Sequence, residues 1–81
     1  MEKKIFYVVT ETIVDFERKT VDTYIKGIKE ELDNAHSVLS FSKKTIIIDG
    51  FDKSLISDFE SGWVYKSDFC IIKDEIIKKY V

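Results

Sequence analysis

The 81-residue sequence predicts an α+β domain: a small antiparallel or mixed sheet of three to four strands, packed by one main helix, with a second short helix. Three observations carry that expectation. The N-terminal third is rich in β-branched and aromatic residues, which suit a pleated surface. A segment with helical spacing of apolar residues follows it. Proline is absent and glycine occurs only three times, so nothing in the composition marks a linker, and the chain reads as a single domain over 1–81.

Residues 3–13 read as the first strand, and a central one, because the run Ile5–Val9 is apolar on both faces. Asp15, Glu17, Arg18 and Lys19 then form a polar break. Residues 20–40 support two readings. Val21, Tyr24, Ile25, Ile28, Leu32, Ala35 and Leu39 fall at helical spacing. Thr20, Val21, Thr23, Tyr24 and Ile25 nevertheless prefer strands, and Gly27 would cost a helix interior about 1 kcal/mol relative to alanine. The expectation is therefore a strand to about Ile28, then a helix from Lys29 or Glu30. Glu30, Glu31 and Asp33 complement the positive end of that helix, and Lys43 and Lys44 its negative end.

Thr45-Ile46-Ile47-Ile48 reads as a short buried strand closed by an Asp49-Gly50 turn. Asp52 or Ser54 can cap a short helix presenting Leu55, Ile56 and Phe59 and stopped by Gly62. Trp63-Val64-Tyr65 and Asp68–Ile72 read as extended, and Lys73–Val81 as strand or frayed helix.

Phe6-Tyr7-Val8-Val9-Thr10-Glu11, then Tyr24-Ile25-Lys26-Gly27-Ile28, then Ala35 within Leu32-Asp33-Asn34-Ala35, make the first half similar to a loose group of short bacterial and phage proteins. In that group a strand ends in Gly-Val or Gly-Ile and a helix follows with alanine at a fixed distance. Lys29 stands here where the group has an aromatic residue. The resemblance implies strand-then-helix order and a phage or mobile-element origin. It carries over no catalytic or binding residue.

Charge and chemistry narrow the function classes. Thirteen basic against fifteen acidic residues leave a net charge of −2, which argues against direct nucleic-acid binding by bulk charge. One cysteine permits no internal disulfide and no thiolate zinc cluster. No run reaches the ~20 apolar residues of a membrane span, and the expected compartment is the cytoplasm, that of the host if the gene is phage-borne. Gly27, Gly50 and Gly62 are isolated, so no phosphate loop is present. His36 lacks a second ligand for a metal, and Cys70, between Phe69 and Ile71, reads as a core thiol. No catalytic residue, metal or cofactor is implied.

What remains is binding. Asp15, Glu17, Glu30, Glu31 and Asp33 are candidates for a negative face towards a basic protein partner; Trp63 and Tyr65, in a C-terminal aromatic set with Phe69 and Tyr80, read first as core and second as interface contacts. The expectation is a non-enzymatic protein-interaction module, in its narrowest form a phage-encoded inhibitor that docks on a host defence protein. The alternative is a homodimer that sequesters a small ligand or nucleotide.

Overall fold

A computed structural model describes residues 3–81. Its elements run β1 (Ile5–Asp15), β2 (Thr20–Lys29), α1 (Leu32–Ile48), a single 3-10 turn (Lys53–Leu55), β3 (Ile56–Phe59), β4 (Gly62–Lys66) and β5 (Cys70–Tyr80). The five strands form one antiparallel sheet in the order β2-β1-β5-β4-β3. The expected sheet of three to four strands with two helices is thereby corrected to five strands and one α-helix.

The difference arises in two places. Thr45–Ile48 is the last turn of α1 and not a strand. Ala35, Leu39, Ser42 and Ile46 are the buried residues of the helix, a spacing of four, three and four that continues one face through the β-branched run. The stop signal is Gly50, at φ 101°. Gly50 N–H donates to the Ile47 carbonyl at 3.1 Å and Phe51 N–H to that of Ile46 at 3.1 Å, the paired bonds of a Schellman cap.

The second difference is the segment 52–62. Asp52 caps only one 3-10 turn, accepting from the Ser54 N–H at 2.9 Å, and the chain then enters β3. Gly62 begins β4 where the expected helix would have stopped. A Cβ there would fall on the Asp74 carbonyl oxygen, so the close approach of β4 to β5 demands glycine.

Strand-then-helix holds for residues 20–48. β1 and β2 pair from Asp15–Thr20 to Tyr7–Lys29, and Lys26 is an extra residue between the pairs Val9–Gly27 and Thr10–Ile25. This bulge bends an edge strand. Gly27 and Ala35 let α1 lie close to the sheet, with Val38 over Gly27 and Ala35 fully buried. The core lies between α1 and one sheet face: Val9, Leu39, Ile46, Trp63, Tyr65 and Ile72. Trp63 donates its indole N–H to the Leu39 carbonyl at 3.0 Å, locking helix to sheet. Phe51 stands edge-on to Tyr65 with ring centroids 5.1 Å apart.

Candidate functional site: an uncovered sheet face

Side chains alternate across a strand, so directly paired residues share a face. On the helix side of β1 lie Tyr7, Val9, Glu11 and Ile13. On the other side lie Phe6, Val8, Thr10, Thr12 and Val14, and no helix or loop covers them. The register extends each position into a row. Val8 lies between Ile28 and Ile77, Thr10 between Ile25 and Glu75, Thr12 between Thr23 and Lys73, and Val14 between Val21 and Ile71. Val21, Ile25 and Ile28 are 67%, 65% and 57% exposed.

A sheet with two apolar faces needs a layer on each, and here only one is supplied. The open face carries the charged residues Lys66, Lys73, Glu75 and Lys79. Lys73 and Glu75 pair with each other at 3.6 Å, and the Lys73 ammonium stands 5.7 Å from the Phe59 ring centroid. Thr12 and Thr23 share a hydrogen bond between their hydroxyls at 3.2 Å.

Beneath this face, on the helix side, is a buried carboxyl pair. Glu11 and Asp74 are direct cross-strand partners, 8% and 0% exposed. Neither carboxyl oxygen of Asp74 completes a hydrogen bond in geometry, although the Ser42 hydroxyl and the Glu11 carboxyl both lie close enough to act on it. Burial, followed by the hydrogen bond and negative charge of Glu11, pushes the Asp74 carboxyl up to about 8, with Ser42 and Lys26 acting weakly in the other direction. A protonated Asp74 can donate to Glu11, which supplies the missing bond. Lys26, from the β2 bulge, lies 3.8 Å from the other side of Glu11. Asp74 is sealed from solvent, whereas Glu11 reaches the wall of a hollow that it shares with Lys26, Val38, Ser42 and Asp49.

The residues expected at a partner site do not converge. Asp15 and Glu17 lie at the β1–β2 turn, where the Asp15 carboxylate accepts from the N–H groups of Glu17 and Arg18 at 3.0 and 3.1 Å. Glu30, Glu31 and Asp33 lie at the other end of β2, whose ten residues span about 33 Å. Glu30 pairs with Lys4 at 3.6 Å, Glu31 is the N-cap residue of α1, and Asp33 is in its first turn. The acids therefore mark two ends of the molecule and not one face. Trp63 and Tyr65 are 2% and 7% exposed and belong to the core.

His36 is exposed on α1 and rims a hollow with Tyr7, Leu32 and Ile76. Cys70 is half-buried at the opposite end of β5, six residues or about 20 Å from Ile76, so no thiol–imidazole pair forms. Among the described residues there is no group of three metal-ligating side chains, and no helix long and apolar enough to cross a membrane.

The open face and the acid pair both escape a reading based on motifs, yet both leave a period-two trace. Phe6, Val8, Thr10, Thr12 and Val14 supply apolar and β-branched side chains on the phase opposite to Val9 and Ile13. Glu11 and Asp74 are acids placed on the core phase, between Val9 and Ile13 and between Ile72 and Ile76. No family model, curated protein or solved structure matches this chain.

Proposed function

We propose that the protein is a non-catalytic binding module that works through the open face of its sheet. The observation that carries this reading is the uncovered stripe formed by Val8, Val14, Val21, Ile25, Ile28 and Ile77, with Val21, Ile25 and Ile28 more than half exposed. Two apolar rows on one uncovered face, linked by Ile25 across a band of threonines, mark an interaction site more than isolated exposed apolar residues do. Docking there would remove apolar surface from water at about 25 cal/mol per Å² before the cost of association. Steric blockade of a host defence protein is the narrowest form of the reading, in which the rigid sheet would be the blocking surface.

The test is paired affinity capture from a host lysate with the wild-type protein and a Val21→Ser/Ile25→Ser variant. Both side chains are exposed, so the variant keeps its fold. The reading expects a stoichiometric partner, another protein or the untagged protein itself, that the variant loses. A partner retained equally by the variant would place the binding surface elsewhere.

A further inference from the structure

The open face is self-complementary, and we infer that its occupant is a second copy of this chain, docked face to face about a two-fold axis that runs along the row Glu11–Asp74. The inference rests on the binding-module reading and names the partner.

An isologous interface requires that whenever one residue meets another across the axis, the reverse contact also forms. The outward side chains of β1 satisfy this requirement by their order: Phe6, Val8, Thr10, Thr12, Val14 and Phe16 are symmetric about Glu11. Phe16 is the first residue beyond the strand, and its N–H still bonds to the Phe69 carbonyl at 3.0 Å, extending the ladder by one step.

The outward side chains of β5 repeat the pattern with the charge reversed. Ile71, Lys73, Glu75 and Ile77 are symmetric about Asp74 in shape and antisymmetric in charge. Glu11 and Asp74 are paired, so the two centres lie in one row. On β2 the same row ends at Tyr24, with Thr23 and Ile25 on either side of it and Val21 and Ile28 beyond them.

An axis lying between two such sheets, perpendicular to the strands and over this row, reverses the strand direction. It sets Val8 over Val14, Thr10 over Thr12, Ile71 over Ile77 and Lys73 over Glu75 of the second copy. The row Ile28–Val8–Ile77 meets Val21–Val14–Ile71, the β1 threonines meet each other, Ile25 meets Thr23, and Lys73 and Glu75 meet in two equivalent opposite pairs, while Lys66 and Lys79 lie outside this central set. The usual crossing of about 30° between packed sheets shifts the outer rows more than the central ones, where the charges lie.

The size is adequate. At about 3.3 Å per residue and about 4.8 Å per strand, the strand segments that overlap about this axis present about 500 Å², so two copies cover about 1,000 Å² in all, the lower bound for a specific interface. The outcome is a two-sheet sandwich with one α1 on each outer surface.

Sedimentation velocity on the intact chain, with far-UV circular dichroism as the check on folding, tests the assignment. Wild type should sediment at twice the 9.5 kDa chain mass. Glu75→Lys sets lysines against lysines across the axis and should weaken the dimer at least tenfold with an unchanged spectrum. Lys73→Glu combined with Glu75→Lys restores two opposite pairs and should return the dimer. A monomeric wild type overturns the second copy as occupant, and loss of a different captured protein in the Val21→Ser/Ile25→Ser variant would still sustain the binding-module reading. A dimer unaffected by Glu75→Lys also overturns it. Because β5 is interior, that result would point to pairing through the β2 edge.

Discussion

The Asp74 carboxyl is the least comfortable group in the molecule, and its proton links stability to pH. Its folded value, about 8, lies above the ordinary 3.8, so between these values the folded state holds a proton that the unfolded chain releases. The contribution is fully present below about pH 4 and declines by up to about 1.4 kcal/mol per pH unit as pH rises towards about 8. Asp74→Asn keeps the shape and can donate to Glu11 without titrating. It should be more stable than wild type at about pH 8, with a flatter stability profile in urea unfolding. A second residue-scale prediction concerns Gly62, where any Cβ meets the β5 backbone. Gly62→Ala should cost about 3 kcal/mol or more, read as a lower urea midpoint, because backbone must move to admit the methyl group.

At the scale of elements, the sequence was informative where local chemistry and tertiary context agree. Thr20–Ile25 prefer a strand and are one, despite the helical spacing that continues into α1, and Gly27 is tolerated because Val38 packs over it. Thr45–Ile48 misled because three consecutive isoleucines favour strands, whereas only Ile46 faces the core and Ile48 is 82% exposed. The deciding signal was Gly50, which reads equally as a turn after a strand and as the residue after a helix. Leu55, Ile56 and Phe59 carry no period that separates helix from strand over so short a stretch, so β3 was not legible, whereas Trp63-Val64-Tyr65 reads as extended and lies in β4. Gly50 makes the assignment testable. At φ 101° a side chain is strained although the space around it is open, so Gly50→Ala should destabilise by about 1–2 kcal/mol in urea unfolding.

For the whole molecule, what sequence reading supplied was the α+β class and the binding expectation. What it did not supply was the surface. The candidate acids were chosen for charge, and the fold distributes them between two ends. The symmetry of the open face becomes visible only once the register fixes Glu11 opposite Asp74. If two copies share that face, stability becomes a property of concentration: the thermal midpoint of wild type should rise with protein concentration in calorimetry, and that of Glu75→Lys should not.

The pairing of β1 with β5 also governs how the chain acquires its structure. Ile5 lies against Tyr80 and Lys4 against Val81, so this pairing joins segments far apart in sequence, while β1–β2 and β3–β4–β5 form from neighbouring segments. Closing the long loop between β1 and β5 is the entropically demanding step of folding and belongs at the barrier. Asp74 sits in the middle of that closure, where burial of its carboxyl favours the protonated form. Refolding in stopped-flow should be slower at about pH 8 than at about pH 5, with little change in the unfolding arm, and Asp74→Asn should remove the difference.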